Sequence, residues 1–195
     1  MKNGKTITAM AMAKPMPKKG IIRVLVCDAD QTIRRNKNNH IGFINDADDI
    51  ELMPGIEALL WKYRTLGYLV AVVSNQGGVA AGHKRPEDAE REMDRTISLF
   101  AKNPINIFKM CYFMPPPAGT VPPYNMRSLT RKPDIGMLVL VETEAWHYDY
   151  VIDWDNSLFV GDRPEDRECA NRAGMRYKDI NDFLKEPLLT TPTDN

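Results

Sequence analysis

The sequence predicts an α/β domain built on a mostly parallel sheet with helices on both faces, and three observations carry that reading. Residues 21–27 (IIRVLVC) form an apolar, β-branched run, the pattern of a strand buried on both sides. Comparable runs recur at 68–73, 106–113 and 157–161. Segments with helical spacing or helix-boundary residues lie between them, and strands alternating with helices imply a three-layer α/β sheet whose ligands gather beyond the carboxyl ends of its strands.

The elements follow in order. After strand 21–27, residues 33–53 mix charge, Asn and Gly with scattered apolar positions, which suits a hairpin or loop. Pro54 and Gly55 open a helix whose apolar positions Ile56, Leu59, Leu60 and Tyr63 share one face, and Gly67 stops it before strand 68–73. A charged helix is expected over 86–100, beginning at Pro86, and a third strand over 106–113. Residues 115–123 carry five prolines and no helical period, so they form an irregular excursion. A helix over 133–147, a strand over 157–161, a helix over 163–173 closed by Gly174 and a short strand over 175–177 complete the pattern. Trp146, Tyr148 and Tyr150 are expected to be packing residues.

Length and composition bound the rest. A chain of 195 residues suits one compact domain, expected over 21–185, with a basic tail over 1–20 and a short tail over 186–195. The apolar stretch near Met1–Ala13 is interrupted by Lys14 and is too short to span a bilayer, so no membrane partner is expected. The 26 basic and 26 acidic side chains cancel, which removes any global attraction to nucleic acid or anionic lipid. Cys27, Cys111 and Cys169 are widely spaced with no CxxC pair, which points to a reducing cytoplasm and to no structural zinc.

Four short segments fall at predicted strand ends or in the loop beside them: Asp28-Ala29-Asp30-Gln31-Thr32, Ser74-Asn75-Gln76-Gly77-Gly78, Arg131-Lys132-Pro133, and Gly161-Asp162 with Asp166. Together they supply what transfer of a phosphoryl group needs: a nucleophile, a proton carrier, donors for equatorial oxygens and a cation. Asp28, first out of its strand, is placed to attack phosphorus. Asp30, two residues on, is placed to handle the proton of the leaving oxygen; crowding by Asp28 and Asp162 would raise its proton affinity and a nearby Mg²⁺ would lower it, a balance the sequence leaves open. Ser74 and the Asn75–Gln76–Gly77 backbone form a candidate phosphate cradle, with Gly77 and Gly78 allowing close approach and positive φ. Lys132 offers a fixed positive charge, Arg131 a grip on a second anionic group, and Thr32 a hydroxyl to brace the turn. Oxygen ligands from Asp28, the main chain of Asp30, Asp162 and Asp166 suit Mg²⁺, with Asp166 orienting Lys132 or a metal-bound water. Arg34, Arg35 and Lys37 read as a solvated basic cluster.

The order of these motifs resembles the haloacid dehalogenase (HAD) superfamily of phosphatases over residues 21–177. The resemblance implies a Rossmann-like α/β/α fold, an aspartyl-phosphate route through Asp28 and Asp30, and Mg²⁺ as cofactor. The short stretch between the first two motifs leaves no room for a large cap domain. Ser74–Gly78 and the RKPxxGM pattern of Arg131, Lys132, Pro133, Gly136 and Met137 look like the histidinol-phosphate and heptose-bisphosphate phosphatases, and like the polynucleotide 3′-phosphatases. The implied substrate is a sugar (bis)phosphate or similar small ester, or alternatively a nucleic-acid 3′ end. Only Cys111 stands where sugar-bisphosphate members often carry a zinc loop, and Gln31 replaces the usual glycine of the first motif. A receiver-like phospho-acceptor domain also pairs a strand-end aspartate with a Lys-Pro, but its motif order differs from this one.

Overall fold

A computed structural model describes residues 20–38, 43–102 and 104–188. Of the expected tails, 1–20 and 186–195, residues 1–19 and 189–195 lie outside the described residues, while Glu186 binds Lys62, Tyr63 and Lys178.

Strand β1 (Ile21–Cys27) lies at the centre of the sheet. It is flanked on one side by β4 (Tyr68–Asn75) and β5 (Ile107–Cys111), and on the other by β7 (Leu158–Gly161) and β8 (Arg176–Asp179), all pairs parallel. A two-residue strand β6 (Val151–Ile152) pairs with the start of β1. The chain order β1, β4, β5 runs outward to one edge, and β7, β8 to the other, so the direction of winding reverses beside β1. The crevice at such a reversal opens beyond the carboxyl end of the strand, which is where Asp28 stands.

The alternation of β1 assigns its side chains to two cores. Leu25 and Cys27 join α1 (Ile56–Thr65) and α5 (Ile180–Phe183) through Ile56, Leu59, Leu60, Ile180 and Phe183. Val24 and Val26 face α3 (Gly136–His147) and α4 (Pro164–Arg172) through Met137, Leu138, Val141, Cys169 and Ala170. Each large apolar side chain so buried contributes about 1.5–3 kcal/mol. Helix α2 (Pro86–Leu99) sends Met93 into the first core. Between β1 and α1 the chain makes an antiparallel hairpin of β2 (Arg34–Asn36) with β3 (Ile50–Leu52), and among the described residues no larger insertion stands there.

Several expected boundaries move. Helix α3 begins at Gly136 rather than 133, because residues 131–134 close a turn and Gly136 donates its N–H to Leu129 O. A Cβ at Gly136 would meet that carbonyl at 2.5 Å. Strand β5 ends at Cys111, where its pairing with Asn75 stops, and β8 begins one residue later than expected and runs to Asp179. Strand β6 and helix α5 were not anticipated; each is too short for a periodic signal. Trp146, Tyr148 and Tyr150, expected to pack, are 49%, 60% and 38% exposed.

Candidate active site

The turn after β1 presents the first motif. Asp28 donates its N–H to Val160 O, and Ala29 O accepts from the N–H groups of Thr32, Ile33 and Arg34, drawing the chain into a tight loop. Gln31 closes that loop with φ +64°. A side chain there bears a left-handed penalty of about 1–2 kcal/mol, which explains why glycine suits this position. Asp28 is buried, and the buried Thr32 hydroxyl points to Asp162 Oδ1 at 3.4 Å, so Thr32 braces the acidic residue that follows β7.

Lys132 is the hub. Its ammonium donates to Asp28 Oδ1 and to Val73 O at 2.9 Å, and it lies 2.7 Å from Asp166 Oδ1. Asn75 positions it: the amide Nδ2 donates to Lys132 O and Oδ1 accepts from Lys132 N, both at 3.0 Å. The Asn75 side chain is thereby tied to the main chain of Lys132. Asp166 is placed by its helix. It is the third residue of α4, and its Oδ2 accepts from Arg163 N at 3.1 Å, the reciprocal bond of a capped helix start. Gly161 makes the room: a Cβ there would fall 2.4 Å from Asp166 Oδ2 and 2.6 Å from Asp166 Cγ.

Asp28, Asp162 and Asp166 each offer an oxygen within 4.8 Å of the others. The buried Oδ1 of Asp166 has no hydrogen-bond partner of good geometry, despite its ion pair with Lys132. Three carboxylates, with no imidazole or thiolate among them, form a donor set suited to a hard divalent cation such as Mg²⁺. The carboxylate of Asp30 is not part of this group.

Burial sets the proton affinities. It pushes the Asp28 carboxyl up to about 7; Lys132 opposes, and Asp166 and Asp30 add to the rise. Asp162 is raised for the same reason, burial first and Asp166 second. Burial alone would lower Lys132, but the two aspartates reverse this and hold it firmly protonated.

Arg34 and Gln76 set the balance at Asp30. Its Oδ1 accepts from Arg34 Nε at 2.8 Å and its Oδ2 from Gln76 Nε2 at 2.7 Å. Burial would raise its proton affinity, yet the charge and hydrogen bond of Arg34, then Gln76, outweigh that and lower it. The expected crowding by neighbouring carboxylates is therefore not the deciding influence. Arg34 was expected in a solvated basic cluster but is fully buried. It reaches Thr96 Oγ1 at 2.9 Å and Glu92 Oε2 at 3.8 Å on α2, and Glu92 in turn binds Lys84 at 2.7 Å. A signal existed: Arg34 lies four residues after an acid, and Ala89, Met93 and Thr96 form a buried stripe on a helix otherwise rich in charge.

The cradle segment is also engaged internally. Ser74 Oγ accepts from Gln76 Nε2 at 2.9 Å. Neither Gly77 nor Gly78 uses the positive φ open to glycine. Close approach is what Gly77 provides, since a Cβ would meet Met114 Cε at 2.5 Å and Arg131 Nη1 at 3.1 Å. Arg131 lies over Gly77 and donates to Phe113 O at 2.8 Å. The proline-rich excursion packs against the same segment, its Thr120 and Val121 N–H groups donating to Ala80 O.

A parallel sheet wound in both directions from β1, with an aspartate pair at its end, a lysine tying the first of them to Asp166, and Asp162 beside them, defines a phosphatase of the HAD superfamily. The profile described as Polynucleotide kinase 3 phosphatase matches residues 23–185, and the chain belongs to that family of HAD-like hydrolases. D-glycero-alpha-D-manno-heptose-1,7-bisphosphate 7-phosphatase of Burkholderia mallei is 31% identical over 154 residues, 78% of this chain and 76% of the relative. D-glycero-D-manno-heptose-1,7-bisphosphate 7-phosphatase of Thermosynechococcus vestitus is 30% identical over 141 residues, 70% of this chain and 69% of the relative. Among solved structures, D,D-heptose 1,7-bisphosphate phosphatase from B. bronchiseptica, complexed with magnesium and phosphate, shares the fold. Its TM-score is 0.62 at 21% identity, over 80% of this chain and 79% of that one. No helix among the described residues is long and apolar enough to cross a membrane.

Proposed function

We propose that this phosphatase hydrolyses phosphate monoesters through an aspartyl phosphate on Asp28, with Asp30 carrying the proton and Asp28, Asp162 and Asp166 holding Mg²⁺. The observation behind the reading is the convergence of Lys132 on Asp28 and Asp166, with Asp162 beside them. A carboxylate oxygen of Asp28 forms a bond to phosphorus as the ester P–O bond breaks, and the departing oxygen takes the proton of Asp30. Water then yields a proton to Asp30 while its oxygen displaces the Asp28 carboxylate, releasing inorganic phosphate. Asp30 rests ionised against Arg34, so it gains its proton as substrate binds; a dianionic ester arriving beside it favours that uptake.

Lys132 acts as a buried charge. Its contacts are already taken by Asp28, Asp166 and Val73, so it favours the ionised Asp28 and offsets incoming phosphoryl charge through space. Ser74 accepts from Gln76 and keeps its own hydroxyl proton for a phosphoryl oxygen. Gly77 and Arg131 flank the substrate, while Asn75, Gln76 and Thr32 hold the groups that touch it. Bound Mg²⁺ supplies charge neutralisation for the phosphoryl oxygens.

The substrate class is a sugar (bis)phosphate or similar small ester, supported by the names of the relatives with 30% identity or more. A polynucleotide 3′-phosphate is the second reading, favoured by the family profile and by the absence, among the described residues, of a large insertion between β1 and α1. The buried, unpaired thiols Cys27, Cys111 and Cys169 suit a cytoplasmic setting. The test is phosphate release from heptose bisphosphate, histidinol phosphate and a 3′-phosphorylated oligonucleotide, with and without Mg²⁺. Release in the first two that vanishes in Asp28→Asn is expected. Preference for the oligonucleotide would select the second reading, and full activity of Asp28→Asn would remove both.

A further inference from the structure

We infer that Arg34 is a positioning residue for Asp30, and that helix α2 reaches the proton-carrying step through it. The inference rests on the role proposed above for Asp30. Arg34 is fully buried, although its neighbour Arg35 is partly exposed and pairs with Glu51 across the hairpin. A buried guanidinium is costly unless it is paired and bonded, and this one is held from two sides. Its Nε binds Asp30 Oδ1 at 2.8 Å, and its Nη1 binds Thr96 Oγ1 at 2.9 Å.

The far side of the clamp is itself anchored. Glu92 lies 3.8 Å from Arg34 Nη2 and is gripped by Lys84 through both carboxylate oxygens at 2.7 Å, while Lys84 also donates to Ile44 O. Two cations and two carboxylates thus form a neutral chain running from α2 to Asp30. With Gln76 on the other oxygen, the Asp30 carboxyl has two fixed contacts and one orientation. Lysine could keep the charge of Arg34, but a single ammonium cannot reproduce two bonds set at opposite ends of a planar fork.

Leaving-group dependence separates positioning from mere structural support. The p-nitrophenolate of p-nitrophenyl phosphate departs without a proton, whereas the alkoxide of glycerol phosphate needs one. Arg34→Lys is expected to lower kcat/KM, which reports formation of the aspartyl phosphate and not its hydrolysis, by on the order of 10²-fold on glycerol phosphate, the scale of lost general acid catalysis, and to change that of p-nitrophenyl phosphate far less. Thr96→Val, which keeps shape and charge, is expected to shift the same ratio in the same direction by a smaller factor, and it serves should Arg34→Lys fail to fold. Asp30→Asn is the benchmark. If Asp30→Asn lowers kcat/KM on both substrates equally, the acid role of Asp30 falls and this inference with it. If Asp30→Asn is selective while the folded Arg34 or Thr96 variants lose both substrates equally, or neither, only the inference about Arg34 is overturned.

Discussion

Gly161→Ala tests how tightly Asp166 is held. The added methyl would sit 2.4 Å from Asp166 Oδ2 and 2.6 Å from its Cβ and Cγ. An ordinary contact of about 3.5 Å therefore requires the carboxylate to retreat by roughly 1 Å. Asp166 has little freedom to absorb this, because its Oδ2 is bound to Arg163 N at the start of α4. The displacement instead stretches the 2.7 Å ion pair to Lys132 and spoils the set of three aspartates. Overpacking of this kind costs about 1–3 kcal/mol of stability, and a shift of about 1 Å at a reacting site lowers turnover about 10²-fold. Both are measurable by urea denaturation and by initial rates of phosphate release at saturating substrate and Mg²⁺. A Gly161→Ala protein with unchanged kcat and unchanged Mg²⁺ requirement would refute the assignment of Asp166 to this machinery.

Three other substitutions or conditions follow from the same geometry. Asn75→Ala removes two hydrogen bonds to the main chain of Lys132; a loss of about 2 kcal/mol in urea denaturation is expected, with kcat falling more than KM changes. Gln31→Gly relieves a positive φ but loosens the unfolded chain, so a net gain between 0 and about 1 kcal/mol is expected, read from the denaturation midpoint. The pH dependence of the metal-free protein has a definite sign. Asp28 binds its proton more tightly folded, with a pKa of about 7, than unfolded, so its stabilising contribution is complete below about pH 4 and is lost as the pH rises through 7. Added Mg²⁺ competes with that proton, so its thermal stabilisation should be larger at about pH 8 than at about pH 5; a larger effect at the lower pH would contradict ligation by Asp28.

Much of the fold was legible because buried parallel strands write themselves as continuous apolar runs. Ile21–Cys27 and Tyr68–Val73 needed no tertiary information to be seen, and neither did the stops at Gly67 and Gly174. Strand ends could likewise be read as the place where Asp28 and Asp162 stand, since each follows an apolar run and leaves the sheet, whereas Ser74 and Asn75 stay paired in β4, which runs two residues past its apolar stretch. Where short elements such as β6 and α5 form was not legible, because two to four residues carry no period.

By itself, the sequence determined the layer architecture and which acids, lysine and glycines lie at strand ends or beside them, because those facts depend on local patterning along the chain. Only the tertiary structure decided what each side chain spends its bonds on. Asn75 turned to Lys132 rather than outward, Gln76 went to Asp30, and Arg34 was buried against α2 rather than solvated. The physical reason is that a hydrogen bond or an ion pair is a contest among partners distant in sequence, settled by which of them the packed helices bring within about 3 Å.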